Sequence, residues 1–177
     1  ENILSHLPQG RTYMLLGKSG VGKSILLYKL IDLYLRNKMP CIYIAYDEYP
    51  AQIRTSMRNF IRDLDASEDR GLLNFVDCYS GLSGMKSQEK ISIGLPGDVN
   101  DLNLKITDLI SSPRAEGAVK VFLDSATSMF IHCPTDTVLK FLMILSAKAK
   151  SRKGSFFFTL GEGAVSVSYA ATELASK

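Results

Sequence analysis

The chain has 177 residues, the length of one ordinary domain. Hydrophobic residues make up 46% of it and charged residues 22%, a composition that excludes disordered, fibrous and disulfide-scaffold classes. The net charge of +3 is too small to indicate a nucleic-acid-binding protein by itself. No apolar run approaches the roughly 18 residues that a membrane span requires, and no signal segment opens the chain, so we expect a cytoplasmic protein.

Five short apolar runs alternate with helical patterns along the chain. The runs cover residues 12–16, 41–45, 72–76, 119–123 and 156–159. They are apolar almost throughout, instead of alternating with polar residues, which is typical of strands that are covered on both faces. The sequence therefore predicts an α/β protein of three layers, in which helices flank a mainly parallel central sheet.

The segments between these runs carry helical spacing. The predicted helices cover residues 24–36, 50–64, 101–110 and 135–150, and the second begins at Pro50, which suits a first helical position. Residues 80–100 show little periodicity and are predicted to form a long loop. Three widely spaced cysteines fit neither a disulfide framework nor a zinc site, so buried reduced thiols are expected.

A glycine-rich segment after the first run matches the pattern G-x-x-x-x-G-K-[ST]. It consists of Gly17, Lys18, Ser19, Gly20, Val21, Gly22, Lys23 and Ser24. The glycines allow backbone N–H groups to surround phosphates, and the following helix adds the positive end of its dipole. Lys23 is placed to reach the β- and γ-phosphates, and the Ser24 hydroxyl to bind Mg²⁺. The sequence thus predicts a nucleotide site.

Carboxylates follow two of the other predicted strands. Asp124 is the candidate for the Mg²⁺ site, with capping of the turn at Ser125 as the alternative. Asp47 and Glu48 are candidates for polarising the attacking water, although adjacent acids also favour a helix N-terminus. Thr159, at the end of the last strand, is either a donor to the γ-phosphate or an ordinary strand-end hydroxyl.

The identity of the nucleotide follows from a motif that is missing. Guanine selection uses N-K-x-D, whereas Asn37-Lys38 is followed by Met39-Pro40. The sequence therefore favours ATP, with Mg²⁺, over GTP.

Taken in order, the phosphate loop, Tyr46-Asp47-Glu48-Tyr49-Pro50, the segment 75–80 and Asp124-Ser125 resemble the KaiC-like ATPases of the RecA superfamily, a group abundant in archaea. The resemblance implies the strand order 1-5-4-2-3 and an acidic pair whose first member is the catalytic base. The usual pair is Glu-Glu, so the shorter Asp47 leaves open which residue activates water. The resemblance also implies further C-terminal strands and a basic finger from a neighbouring subunit. Residues 1–177 are therefore expected to be a single domain of this type that lacks its last strands.

Three functions are compatible with these features. The first is an ATPase whose nucleotide binding and slow hydrolysis drive assembly or conformational change, with a homo-oligomer or a protein partner. The second is a nucleotide-sensing assembly subunit that does not hydrolyse ATP. The third is a DNA-binding recombinase paralogue, suggested by two clusters, Arg54, Arg58 and Arg62 on the second helix and Lys148, Lys150, Arg152 and Lys153 near the end of another. Solvated helix faces and the helix dipole also explain these clusters. The loop 80–100 and the arginines are candidate contact surfaces.

Overall fold

The computed structural model describes residues 7–95, 97–112 and 117–162. Its strands are β1 (Thr12–Gly17), β2 (Cys41–Ala45), β3 (Leu73–Asp77), β4 (Lys120–Asp124) and β5 (Ser155–Gly161). Its helices are α1 (Lys23–Arg36), α2 (Pro50–Met57), α3 (Leu64–Asp69), α4 (Tyr79–Leu82), α5 (Val99–Ser111), α6 (Ala126–His132) and α7 (Thr135–Ser151). The five predicted strands are confirmed, with ends that move by two residues at most.

The strands form one parallel sheet in the order β1-β5-β4-β2-β3. This is the order that the family resemblance implies, with β5 between β1 and β4. Because all strands run the same way, their C-terminal ends meet at one edge of the sheet, called here the carboxyl edge. Their N-terminal ends meet at the opposite amino edge.

Each face of the sheet is covered by its own hydrophobic core. Side chains of α1, α2 and α3 pack on one face, and side chains of α5, α6 and α7 pack on the other. Phe156 and Phe158 point to the second core and Phe157 to the first, and all three are fully buried. Burial on both faces explains why the strands are continuous apolar runs, and the predicted three-layer α/β fold is confirmed.

The predicted single helix over residues 50–64 is wrong. The helix α2 ends at Met57, whose carbonyl oxygen accepts hydrogen bonds of 2.8 Å from the amides of both Phe60 and Ile61, and the chain turns before α3 begins. Ile61 and Leu64 nevertheless remain in the same core as Met57. The apolar spacing predicted which residues are buried, but burial did not require one continuous helix.

The predicted loop 80–100 is more ordered than its composition suggests. Most of α4 and the first two residues of α5 fall within it. Residues 91–93 lie alongside the end of β3, where Asp77 donates its amide to Ile91 O at 3.0 Å and accepts from Ile93 N at 2.9 Å. The short helices α3, α4 and α6 were not predicted because they contain too few turns to show a helical period.

Within residues 7–95, 97–112 and 117–162, no helix is long and apolar enough to cross a membrane. The cytoplasmic location stays a prediction. The three cysteines are free and buried, as expected.

Candidate nucleotide-binding site

The phosphate loop joins β1 to α1 at the carboxyl edge. Gly20 and Gly22 have φ angles of +79° and +91°, a left-handed conformation that glycine adopts most readily. Gly22 is also the residue that precedes α1, and it gives no side-chain hydrogen bond to the first amides of the helix. Those amides and the positive end of the helix dipole are therefore available to an anion.

The first residue of α1, Lys23, directs its ammonium group back over the loop. Nζ donates hydrogen bonds of 2.8 Å to the carbonyl oxygens of Gly17 and Lys18. No carboxylate of the described residues forms an ion pair with this lysine. Its positive charge is therefore not compensated by the protein, and a phosphate group would compensate it.

The side chain of Asp124, which ends β4, is held by two hydroxyl groups. Tyr43 Oη donates to Oδ2 at 2.9 Å, and Thr159 Oγ1 donates to Oδ1 at 2.6 Å. Asp124 is only 8% exposed, so these bonds fix its orientation in a buried place. Each carboxylate oxygen keeps a further lone pair with which to accept a hydrogen bond from water.

Tyr43 is a site residue that the sequence did not reveal. It lies in the middle of β2 and is a typical buried strand residue in the sequence. Burial raises the pKa of Tyr43 well above its usual value and that of Tyr28, on α1, to about 12, and the nearby charge of Asp124 acts in the same direction. Both phenols therefore stay protonated and can act as donors. Only the pairing of β2 with β4, which sets Ala45 opposite Asp124, shows that Tyr43 reaches the site.

The hydroxyl group of Thr159 lines the cavity and has a hydrogen-bond partner within the protein. Its side chain is fully buried and its single hydroxyl proton is directed to Asp124. A hydroxyl has one proton to donate, so Thr159 cannot donate to a phosphate while this bond is kept.

A cavity of about 400 Å³ at the carboxyl edge brings most of the predicted site residues together. The predicted residues in its wall are Ser19, Gly20, Gly22, Lys23, Ser24, Asp47, Asp124 and Thr159. Gly17, Lys18 and Val21 belong to the same loop but do not line the cavity. Both acids are exposed, but only Asp47 lies in the wall of the cavity, and Glu48 is absent from it.

Three further hydroxyl groups line the cavity and were not predicted. They belong to Ser125, Thr127 and Ser128, at the start of α6. Ser125 caps that helix by accepting from Ser128 N at 3.4 Å, and Thr127 Oγ1 accepts from Gly161 N at 2.8 Å. The signal in the sequence was the dense run of hydroxyl residues directly after Asp124. Asp124 itself does not cap α6.

The turn that carries Asp47 is tied to the segment after β3. The Tyr49 hydroxyl donates to Ser83 Oγ at 2.9 Å, and the Tyr49 ring packs edge-on against Tyr79 with ring centroids 4.7 Å apart. Asp77, also buried, accepts hydrogen bonds of 2.5 Å from Ser80 Oγ and from Ser87 Oγ. The predicted loop is therefore anchored beside the acidic pair.

The arginines predicted to form one stripe are separated in the structure. Arg54 binds the carboxylates of Glu68 and Glu89 with bonds of 2.6–3.1 Å and lies 4.3 Å from the centroid of the Phe75 ring. The hydrogen bonds that Arg54 donates to Glu89 and Glu68 raise its pKa above the ordinary value. Arg58 pairs with Asp65, and Arg62 lies beyond the end of α2. This arrangement contradicts an exposed basic face on that helix.

The donor set of the cavity suits Mg²⁺ bound together with a nucleotide. No group of three or more His, Cys, Asp or Glu side chains able to hold a metal occurs in the described part of the chain. Mg²⁺ does not require such a group, because it usually takes one or two protein oxygens and completes its shell with phosphates and waters. The Ser24 hydroxyl and the Asp124 carboxylate, both in the cavity wall, are oxygens of this kind.

A phosphate loop between β1 and α1, at the carboxyl edge of a parallel sheet in the order β1-β5-β4-β2-β3, defines a RecA-like P-loop domain. Comparison with protein families gives the same class: the model of the family described as "ATPase: KaiC" matches residues 1–168. The chain belongs to this KaiC family of ATPases.

Curated relatives agree with this assignment. A UPF0273 protein of Aeropyrum pernix is 32% identical over 129 residues, which are 72% of this chain and 51% of the relative. A UPF0273 protein of Methanocaldococcus jannaschii is 32% identical over 72% of this chain and 52% of its own length. The circadian clock oscillator protein KaiC of Parathermosynechococcus lividus is 30% identical over 83% of this chain and 26% of its own length. The chain thus spans about half the length of the UPF0273 relatives that it matches.

Proposed function

We propose that this protein binds Mg·ATP in the cavity at the carboxyl edge and hydrolyses it slowly. The observation that carries the proposal is that one cavity joins the phosphate loop, with the uncompensated charge of Lys23, to two carboxylates, Asp47 and Asp124. ATP remains favoured over GTP, because Pro40 stands where the guanine motif N-K-x-D requires aspartate, and this segment lies at the amino edge, far from the phosphate loop.

Nucleotide binding is tested by isothermal titration calorimetry with Mg·ATP. Lys23→Ala removes a charged donor to the phosphates and is expected to weaken binding by about 1.5–3 kcal/mol. Lys18→Ala is the matched control. This substitution removes the same charge from the same loop, but Lys18 does not line the cavity. Equal affinities of Lys23→Ala and the parent would refute the proposed site.

In the proposed reaction Ser24 and Asp124 would hold Mg²⁺, which would supply positive charge to the phosphates. Tyr43 and Thr159 position the Asp124 carboxylate by hydrogen bonds. Asp47 accepts a proton from the attacking water, because it is the acid of the pair that faces the cavity.

Hydrolysis is tested by phosphate release at saturating ATP. Asp47→Asn is expected to lower turnover strongly while ATP binding is largely kept, since a water-positioning group acts mainly in the transition state. Glu48→Gln is the matched variant and should cost less. A larger loss for Glu48→Gln would identify Glu48 as the base. If both variants kept the turnover of the parent, neither acid would act in hydrolysis, and the pair would only favour the N-terminus of α2.

We further propose that ATP promotes association of this chain with a second copy or with a protein partner. The cavity is open at the sheet edge, and Lys23 is the one cationic side chain in its described wall, whereas transfer of the γ-phosphate benefits from a second positive charge. A neighbouring subunit can supply that charge. Light scattering over a concentration series should show larger particles with ATP than with ADP. Association should tighten ATP binding by the same factor by which ATP strengthens association. A monomer in all conditions, with turnover per chain independent of concentration, would contradict the shared site.

A nucleotide sensor that does not hydrolyse ATP is the second candidate. The observation that favours it is the short side chain of Asp47, which is one methylene less than the glutamate of the usual pair. Undetectable phosphate release together with ATP-dependent association would select this candidate.

A further inference from the structure

We infer that the amino edge of the sheet binds the sugar-phosphate backbone of a nucleic-acid duplex. The segments that lead into the five strands are 7–11, 36–40, 70–72, 117–119 and 152–154. They contain six basic residues and no aromatic residue, and the acids nearest to them in sequence, Asp69 and Glu116, directly precede two of the segments. The basic residues, all exposed, are Arg11, Arg36, Lys38, Arg70, Arg152 and Lys153.

The sheet topology turns these scattered residues into one row. In the order β1-β5-β4-β2-β3, Arg11 precedes the first strand, Arg152 and Lys153 the second, Lys38 the fourth and Arg70 the fifth. Four spacings between neighbouring strands of about 4.8 Å give a row of roughly 19 Å. At 3.4 Å per base pair, this length matches roughly six base pairs of duplex.

The charges of the row are mostly free to meet an anion. Among the described residues, Arg36 pairs with Asp32 at 2.8 Å, and the other five cations form no ion pair. At the β3 end a groove of about 410 Å³ is lined by Arg36, Lys38, Arg62 and Arg70 and by two acids, Asp32 and Asp63, so that its wall stays net positive.

Both lysines of the row occupy backbone positions that favour glycine. Lys38 and Lys153 have φ of +56° and +55°. Lys38 stands two residues after the end of α1, and Lys153 two residues after the end of α7. Both lie in the same type of hydrogen-bonded turn. Lys38 N donates to Leu35 O and Lys153 N to Lys150 O, both at 2.9 Å. Glycine is the usual residue at this place. The helix dipole explains a cation near a helix C-terminus, but it does not explain a lysine in a left-handed conformation, nor Arg11, which follows no helix in the described chain.

The chemistry of the edge favours a duplex over other polyanions. Single strands are bound largely by stacking of bases on aromatic side chains, and the five segments contain none. Stable anchoring on an anionic membrane needs an inserted apolar group beside the cations, and none of the large apolar side chains exposed in the described chain lies in these segments. A basic row without aromatic or apolar neighbours matches the phosphate backbone of a duplex.

The remaining basic cluster of the sequence fits this division. Lys148 Nζ is bound to Asn103 Oδ1 at 3.0 Å and to Thr107 Oγ1, between α7 and α5. Lys148 therefore contributes to packing, whereas Arg152 and Lys153 belong to the exposed row.

The test measures fluorescence anisotropy of a labelled 24-base-pair DNA duplex from 50 to 200 mM salt. The parent should bind with a steep salt dependence: log K should fall with log salt concentration, with a slope of about 0.9 for each phosphate contact. Lys38→Gly/Lys153→Gly should lower that slope by about 1.8 and weaken binding at least tenfold at 50 mM salt. Because glycine suits both positions, the variant should melt at or above the temperature of the parent, so a failure to bind would not reflect misfolding.

The control is Lys29→Ala/Lys140→Ala, which removes two exposed lysines from the outer faces of α1 and α7, away from the amino edge. It should bind the duplex as the parent does. Unchanged binding by Lys38→Gly/Lys153→Gly, or an equal loss in the control, would overturn the inference. Binding of the parent to phosphatidylserine vesicles without binding to the duplex would also overturn it.

Discussion

Tyr43→Phe removes one hydroxyl group from the candidate site and nothing else. The phenyl ring keeps its packing against Phe75 and Tyr28, whose ring centroids lie 5.6 Å and 6.2 Å away. The hydrogen bond of 2.9 Å to Asp124 Oδ2 is lost, and that oxygen keeps no other donor among the described residues. The substitution therefore removes one buried bond to a carboxylate, together with the contact of the same hydroxyl with Tyr28.

The size of the effect follows from burial and charge. Tyr43 is 1% exposed and Asp124 8% exposed, so water cannot easily replace the lost donor. A hydrogen bond to a charged group contributes about 1.5–3 kcal/mol to the free energy of unfolding. In a domain of this size, such a loss lowers the midpoint of urea unfolding by roughly 1 M.

Urea unfolding followed by circular dichroism measures this loss. Tyr34→Phe is the matched control, because Tyr34 is buried but its hydroxyl forms no hydrogen bond to another described residue, and it should cost less than about 1 kcal/mol. A double-mutant cycle with Asp124→Asn should show that the two substitutions are not additive. Equal midpoints for Tyr43→Phe, Tyr34→Phe and the parent would refute the reasoning. As a second readout, Tyr43→Phe should raise the Mg²⁺ concentration needed for half-maximal ATP binding.

Two other predictions concern stability away from the phosphate loop. Arg54→Met leaves two partly buried carboxylates unpaired and should lower the free energy of unfolding by about 3 kcal/mol. Arg58→Met breaks an exposed pair and should cost less than about 1 kcal/mol. Similar losses for the two variants in urea unfolding would show that the pair of Arg54 with Glu89 does not anchor the segment after β3. Burial lowers the pKa of Lys120 below its ordinary 10.5, so the unfolded chain binds more protons than the folded chain as pH approaches that value. The stability of the parent relative to Lys120→Met should therefore rise as pH increases towards 10.5. A stability difference that does not change as pH increases from 8.5 to 10.5 would show that Lys120 has the same pKa in both states.

Several features of this protein were determined by short stretches of sequence. The phosphate loop could be recognised from eight consecutive residues, because Gly20 and Gly22 adopt their left-handed conformations locally and the next helix supplies its amides. The five strands were also predictable, since burial on both faces makes each one a continuous apolar run. From these the class of fold and the position of the nucleotide site followed.

Other features depended on which strands are neighbours and in what register. Tyr43 and Asp124 are 81 residues apart, and Thr159 and Asp124 are 35 apart, so only the pairing of β2 and β5 with β4 brings the two hydroxyls to the carboxylate. Burial of Arg54 between Glu68 and Glu89 likewise separated it from the exposed arginines, although helical spacing had placed it among them. The basic row arises because parallel strands bring all their N-terminal ends to one edge. A short stretch of sequence does not show that basic residues from distant segments lie on the same surface.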